Sequence, residues 1–134
     1  MFNLNEQISI QKAKCMSPIV LAFVGDAVYS LYVREKLAFN TDFKSGVLNV
    51  KASEIVRASA QAKFIDAIYP LLTEEESDVY RRARNTKKGT RAKSSTVAEY
   101  NKSTGFEALV GYLYITGQTD RLNVLLNYEV KDES

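Results

Sequence analysis

The stretch SPIVLAFVGDAVYSLYVREKL, residues 17–37, predicts a long and very apolar α-helix that ends near Leu37. Ser17 is a favourable N-cap residue, and Pro18 suits the first helical position, where its missing N–H would have no partner in any case. Apolar side chains occupy almost every face of the stretch, so we expect it to be the enclosed central helix of the fold. Asp26, in the middle of this apolar helix, therefore requires an explanation.

The segments that follow are also predicted to be helical. Only two prolines and six glycines interrupt 134 residues, and no strand is expected. Apolar and small residues at a spacing close to 3.6 predict a second helix over residues 45–69, which Pro70 ends. Thr73 and Glu76 have the spacing of a capping box and open a third helix, whose acidic start and basic end suit the helix dipole.

The C-terminal third contains a second very apolar helix. A short helix over residues 96–102 leads into TGFEALVGYLYITG, residues 104–117, which contains a single acid, Glu107. A break at Gly117 precedes an amphipathic helix that starts at Thr119. The residues expected on its inward face are Leu122, Leu125 and Leu126, with Tyr128 as a further candidate.

Composition bounds the domain organisation. A 15.0 kDa chain with 46% apolar and 25% charged residues is composed like one ordinary globular domain. We therefore expect a single domain over residues 1–134, with residues 1–16 as an N-terminal lead and residues 131–134 frayed. The N-terminus lacks the apolar core of a signal peptide, and one cysteine cannot form an internal disulfide, so a cytoplasmic location is expected. The apolar run over residues 15–33 contains Asp26 and two tyrosines, which favours a buried helix over a membrane span.

Composition also excludes most hydrolytic sites. The chain has no histidine and a single cysteine, Cys15. It cannot build a Cys/His zinc site, a Ser-His-Asp triad or a Cys-His dyad. Carboxylate chemistry, with or without a bound cation, remains.

Asp26 and Glu107 are the candidates for that chemistry. Each is the single acid among apolar residues, and each lies next to small residues that allow another chain or a ligand to approach closely. One interpretation is that each forms a buried ion pair or caps a neighbouring helix. The other is that both belong to one cleft and hold Mg²⁺, a cation that binds carboxylate oxygens and needs no imidazole. Spacing alone leaves both interpretations open.

Residues 81–93, RRARNTKKGTRAK, form a basic segment without an acid in a chain whose net charge is only +2. Its basic residues are Arg81, Arg82, Arg84, Lys87, Lys88, Arg91 and Lys93. They are either a solvated helix end with a flexible loop or a surface that binds phosphates through counterion release. No aromatic residue is interleaved with them, which favours duplex RNA, recognised by its shape, over stacking on single strands.

Two motifs carry a family resemblance. LAFVGDAVYSLYVREKL, residues 21–37, resembles the signature helix of the ribonuclease III family, and FEALVGYLY, residues 106–114, resembles its second acidic motif. RARNTKKG and STGFEAL, residues 82–89 and 103–109, narrow the resemblance to the Mini-III ribonucleases, as does the absence of an appended double-stranded-RNA-binding domain. The resemblance extends from about Ser17 to Leu126.

The resemblance implies an all-α endonuclease domain that acts as a homodimer on double-stranded RNA. It implies Asp26 and Glu107 as Mg²⁺ ligands, and it places Phe23 where the family has an aromatic residue that inserts into the partner subunit. The expected reaction is maturation of the 23S ribosomal RNA precursor, leaving a 5′-phosphate and a 3′-hydroxyl. The resemblance leaves open whether a large-subunit ribosomal protein is a further partner. The residues expected to bind RNA are Arg81, Arg82, Arg84, Asn85, Lys87, Lys88, Arg91 and Lys93.

Two positions depart from the full ribonuclease III pattern. Ala22 and Thr104 stand where that pattern has a further glutamate and an aspartate. Thr104 keeps a hydroxyl that can position water, whereas Ala22 offers no ligand. We therefore expect one firmly bound Mg²⁺ per subunit, and a second ion that joins it when phosphate supplies ligands stays open. These changes also keep two rival functions open, a non-catalytic RNA-binding or ribosome-assembly factor and a structural helical interaction domain.

Overall fold

The computed structural model describes residues 6–40, 42–88 and 95–130, and these residues form seven α-helices and no β-strand. This confirms the predicted all-α class. A short 3₁₀ turn over Tyr69–Leu71 joins the fourth helix to the fifth. The helices are α1 (Ile10–Lys14), α2 (Pro18–Asn40), α3 (Ser45–Val56), α4 (Ala58–Ile68), α5 (Glu74–Asn85), α6 (Val97–Ile115) and α7 (Thr119–Leu126).

The central helix of the fold is α6. Between Ser103 and Leu113 every residue of α6 except Glu107 is buried, and α2, α4, α5 and α7 pack around it. The prediction that residues 17–37 form the enclosed helix was therefore wrong. Helix α2 buries one face against α6 and exposes the other, where Phe23 and Phe39 are each 80% exposed. Hydropathy alone does not distinguish an apolar face inside the core from one that the subunit leaves uncovered.

Helices α2 and α6 cross with their backbones in direct contact. A Cβ added to Gly25 of α2 would lie 1.6 Å from the carbonyl oxygen of Glu107, and one added to Gly111 of α6 would lie 2.1 Å from the carbonyl oxygen of Leu21. Only glycine allows this approach, because any other residue carries a Cβ that would overlap the facing backbone. The contact brings the acidic positions of the two apolar helices together.

The middle of the chain differs from the prediction in one respect. The helix expected over residues 45–69 is two helices, because Arg57 is extended with a ψ of 154° and separates α3 from α4. Ala62, Ile65 and Ile68 of α4 are buried as the spacing predicts, whereas Val47 and Val50 of α3 are exposed. No glycine or proline marks the break in the sequence, so composition gave no signal for it.

The helix ends follow their capping signals. The capping box of Thr73 and Glu76 opens α5 as predicted, and a second box of Thr96 and Glu99 opens α6. The predicted short helix over residues 96–102 is the first part of α6, which continues without a break. Across the described ranges, every helix is too short or too polar to span a bilayer.

Both ends of the described chain adjust the prediction. Within the expected N-terminal lead, residues 10–14 form α1, which Ser9 caps through its side chain. At the other end, Leu122, Leu125 and Leu126 of α7 are buried as predicted. Tyr128 follows the end of that helix and is 40% exposed, so it does not join the inward face.

Candidate active site

A cleft of about 400 Å³ lies where α2 and α6 meet the C-terminal end of α5. The residue types around it make it the candidate active site. The residues that line it are Ile19, Ala22, Phe23, Asp26, Lys87, Lys88, Tyr100, Thr104 and Glu107. The fold thus brings together both acids and part of the basic segment, which are distant in the sequence.

Asp26 and Glu107 face each other across this cleft. Both side chains line the cleft, and Asp26 acts on the Glu107 carboxyl group. Asp26 is exposed, so the expectation of a buried carboxylate at this position was wrong, whereas Glu107 is half-buried. Asp26 is exposed because α2 lies beside the core, and its acidic residue opens onto the cleft and not into the centre of the bundle.

Burial and the neighbouring acid raise the pKa of Glu107 to about 8. Desolvation is the largest cause, followed by the hydrogen bond and the charge of Asp26, while a hydrogen bond from Gln61 acts in the opposite direction. Within the described residues, no Lys or Arg forms an ion pair with either acid. The pair therefore needs a cation or a proton to be stable in the cleft.

Glu76 shows what a paired acid looks like in this fold. Its buried carboxylate accepts hydrogen bonds from the Arg121 guanidinium at 2.8 and 2.9 Å and from the backbone N–H of Thr73. The ion-pair and helix-cap interpretation thus applies to Glu76. It does not apply to Glu107, whose donor among the described residues is the neutral amide of Gln61.

The pair of carboxyl groups, Asp26 and Glu107, makes the stability of the metal-free protein depend on pH. Because the pKa of Glu107 is about 8 in the folded protein and near 4.5 when unfolded, folding favours its protonated form. This contribution is fully present below pH 4.5 and is lost as the pH rises through 8. We expect the melting temperature in chelator to fall between pH 5 and 9 for the wild type and to stay flatter for Glu107→Gln. If the melting temperatures of the two proteins changed equally with pH, the raised pKa of Glu107 would be contradicted.

The donor set suits a hard divalent cation. Two carboxylates supply the oxygen ligands that Mg²⁺ prefers, and water and substrate phosphate complete its coordination in sites of this kind. No group of three acidic, His or Cys side chains that could form a metal site occurs in the described ranges. Ala22 also lines the cleft, and its methyl side chain offers no oxygen ligand.

Thr104 lies at the wall of the cleft, as the resemblance implies. It is buried, and its hydroxyl donates a hydrogen bond to the carbonyl oxygen of Tyr100 at 3.0 Å. Because the hydroxyl proton is used there, the Thr104 oxygen is left as an acceptor towards water. Tyr100, which the sequence analysis did not single out, also lines the cleft.

The basic segment divides into two parts in the structure. Arg81 pairs with Asp78 of the same helix, and Arg82 donates to the carbonyl oxygen of Lys14 at 3.1 Å, so Arg82 lies towards α1. Neither arginine lines the cleft. Arg84 lies over the Tyr80 ring at 5.4 Å and donates to Asn85. Lys87 and Lys88 line the cleft. Arg91 and Lys93 lie outside the described residues.

Lys88 has a structural role beside the cleft. Its ammonium donates hydrogen bonds to the carbonyl oxygens of Ala83, Arg84 and Thr86 at 2.8, 2.9 and 2.6 Å. These are terminal carbonyls of α5 and its exit, which a cation stabilises. All three ammonium donors are used, so Lys87, which is exposed, is the more available phosphate contact of the two.

Phe23 lies at the rim of the cleft and is exposed. Its neighbours Ile19 and Val20 on α2 are also exposed, and together the three side chains form an apolar patch. Patches of this kind on a single subunit mark surfaces that another molecule covers. A contact between Phe23 and a partner subunit stays a prediction.

Gln61 is the residue behind the site that sequence reasoning missed. It is 2% exposed on α4, and its Nε2 lies 3.5 Å from Oε2 of Glu107. A signal was present, because Gln61 lies three residues after Ala58 and four before Ile65, on the inward face of the predicted helix. An amide at such a position needs a polar partner in the core.

Comparison with known proteins agrees with the all-α fold and shows the family. The ribonuclease III domain family matches residues 19–118. A "Mini-ribonuclease 3" of Thermoanaerobacter sp. (strain X514) is 47% identical over 87% of this chain and 82% of its own length. One of Clostridium tetani is 40% identical over 92% of this chain and 82% of its own. A crystal structure of a Fusobacterium nucleatum protein has a TM-score of 0.77 at 32% identity, covering 83% of this chain and 90% of that one.

Proposed function

The chain belongs to the ribonuclease III family, in its Mini-ribonuclease 3 group, and we propose that it is a Mg²⁺-dependent endonuclease that cleaves double-stranded RNA as a homodimer. The observation that carries the proposal is the carboxylate pair of Asp26 and Glu107 in a cleft with Lys87 at its wall. Cation sites of this composition serve phosphoryl transfer. The single domain over residues 1–134 and the cytoplasmic location belong to the same proposal.

Five of the residues that line the cleft have a role in this reaction. Asp26 and Glu107 hold the cation, and Thr104 accepts a hydrogen bond from water and orients it. Lys87 contacts a backbone phosphate, and Lys88 fixes the end of α5 beside it. When bound, Mg²⁺ supplies positive charge to the scissile phosphate and lowers the pKa of water.

The substrate is the 23S ribosomal RNA precursor in this proposal, cut to leave a 5′-phosphate and a 3′-hydroxyl. The family membership and the basic segment support it, and a large-subunit ribosomal protein is a candidate for remodelling that substrate. End-group analysis of the products tests the chemistry, because opposite end groups would require a different nucleophile.

The proposal is tested by incubating the purified protein with a long RNA duplex and with either strand alone, in Mg²⁺ and in chelator. We expect cleavage of the duplex in Mg²⁺ only, with the single strands left intact. A protein that retards the duplex on a gel but leaves it whole at ample Mg²⁺ would instead be the non-catalytic binding factor. A protein that neither binds nor cuts would be a structural interaction domain.

The division of the basic segment gives a separate prediction for RNA affinity. Lys87→Met is expected to weaken duplex binding and to reduce the slope of log K against log salt by about 1, since one phosphate contact is lost. Lys88→Met is expected to lower the melting temperature, because it removes the cap of α5, and to leave the salt slope close to that of the wild type. The control is Lys63→Met, an exposed lysine of α4 outside the cleft. Equal salt slopes for Lys87→Met and Lys63→Met would remove Lys87 from the RNA interface.

Phe23 is expected to stabilise the dimer. Phe23→Ala removes the largest side chain of the apolar patch on α2, so subunit association should weaken by about 10-fold or more, as for a buried aromatic at an interface. Sedimentation equilibrium measures this change, and Val124→Ala, at an exposed position of α7, is the control. An unchanged dimer constant for Phe23→Ala would place the subunit interface elsewhere.

A further inference from the structure

Gln61 is a buried polar side chain that contacts the site without lining the cleft. It lies on α4, and its Nε2 donates to the carbonyl oxygen of Val56 at 2.8 Å and lies 3.5 Å from Oε2 of Glu107. One amide group thus touches the last residue of α3 and the acidic residue of α6. Its position behind Glu107 suggests a role in orienting that carboxylate.

The carbonyl of Val56 determines which way the Gln61 amide points. The Val56 oxygen can only accept a hydrogen bond, so the group 2.8 Å away must be the NH₂. Exchanging the oxygen and nitrogen of the amide would bring two oxygens to that distance. The NH₂ group therefore also faces Glu107, where it can donate to the carboxylate and cannot accept from it.

The oxygen atom of the Gln61 amide destabilises the fold. Oε1 of Gln61 is buried and has no hydrogen-bond partner among the described residues. A buried acceptor without a partner destabilises a fold, and an apolar side chain of the same length would avoid that penalty. The amide is thus a poor choice for packing alone, and what it adds is an NH₂ donor that Val56 and Glu107 share.

We propose that Gln61 is a positioning residue for the metal site. By donating to Oε2 of Glu107 it fixes the rotamer of the carboxylate, which would leave the other oxygen available to a cation held by Glu107 and Asp26. This proposal rests on the proposed function of Asp26 and Glu107 as the metal-binding pair. Neutral donors of this kind orient ligands without competing with the cation for charge.

The test is Mg²⁺ affinity, measured by isothermal titration calorimetry on the whole protein without RNA. Gln61→Met keeps the length of the side chain and removes the donor, and Gln61→Asn keeps an amide that is one methylene too short to reach Glu107. We expect both variants to weaken Mg²⁺ binding by about 10- to 100-fold, the range typical of groups that orient metal ligands. The Mg²⁺ concentration for half-maximal cleavage should rise by the same factor, with most of the rate recovered at saturating Mg²⁺.

The matched control is Tyr112→Phe. Tyr112 is a buried residue of the same α6, and its hydroxyl donates to Glu75 at 2.9 Å, away from the cleft. This variant also loses one hydrogen bond, yet its Mg²⁺ affinity should equal that of the wild type. Circular dichroism and melting temperature report on folding in all variants.

The outcomes separate this proposal from the one it rests on. A folded Gln61 variant with wild-type Mg²⁺ affinity would overturn the positioning role and leave Gln61 as a cap for Val56. Failure of both variants to fold would also overturn it, because the role would then be structural. A wild type that binds no Mg²⁺ would refute the metal pair itself, whereas one that binds Mg²⁺ but cuts no duplex would refute only the proposed reaction.

Discussion

Asp26→Asn is expected to lower the rate of duplex cleavage by about a thousandfold or more while leaving the protein folded. The substitution keeps the shape of the side chain but replaces an anionic ligand by a neutral amide oxygen. Charge stabilisation at such a site is worth several kcal/mol, and each 1.36 kcal/mol corresponds to a factor of ten in rate. Asp26 is exposed, so its replacement removes no core packing.

The control for this variant is Asp120→Asn, which changes an exposed aspartate in the first turn of α7. It should cleave at the wild-type rate and lose only a few tenths of a kcal/mol in stability through the helix dipole. RNA binding by Asp26→Asn should be at least as tight as that of the wild type, because one negative charge is removed beside the phosphates. A folded Asp26→Asn protein that cuts duplex RNA at the wild-type rate would rule out Asp26 as a metal ligand.

Gly25→Ala is expected to be the most destabilising glycine-to-alanine substitution among the glycines that the structure describes. The added Cβ would lie 1.6 Å from the carbonyl oxygen of Glu107 and 2.8 Å from the backbone nitrogen of Gly111. Both neighbours are backbone atoms of α6, so no side chain can rotate to make room, and the two helices have to separate. We expect a loss of about 3 kcal/mol or more in the free energy of unfolding, at the upper end for overpacked cores.

Gly46→Ala is the matched control for this effect. Gly46 lies in the first turn of α3, and a Cβ added there meets no atom within 4 Å. The same methyl group should stabilise the protein by up to about 1 kcal/mol, because alanine has the higher helix propensity and loses less chain entropy on folding. Chemical denaturation measures both values, and similar unfolding midpoints for the two variants would mean that α2 and α6 do not depend on the contact at Gly25.

Local signals in the sequence predicted much of the fold. Pro18 marked the start of α2, and the pair of Thr73 and Glu76 marked the start of α5, because caps act within one helical turn. The break at Arg57 lacked such a signal, since an extended residue between two helices needs neither glycine nor proline. Burial was also predicted incompletely, because an apolar face of α2 and the core face of α6 have similar compositions.

The candidate site was predictable as a set of residues but not as a geometry. Motif resemblance singled out Asp26 and Glu107, yet their approach depends on the glycine contact between helices that are distant in sequence. Charge alone grouped Lys87 with Lys88, and only the hydrogen bonds to three carbonyls distinguish their roles. Gln61 was missed because its partner Glu107 is far away along the chain.

The contact at Gly25 also bears on which cations the proposed metal site would select. The carbonyl oxygen of Glu107 contacts Gly25, and Gly25 directly precedes Asp26 in the chain. The backbone of Glu107 therefore packs against the residue next to Asp26. The distance between the backbones that carry the two carboxylates is thereby set by van der Waals contact of main chains. Packed protein interiors have low compressibility, so this distance changes little. Adaptation to an ion of larger radius has to come from rotation of the two acidic side chains, because the helices cannot move closer together or apart without disrupting their backbone contact.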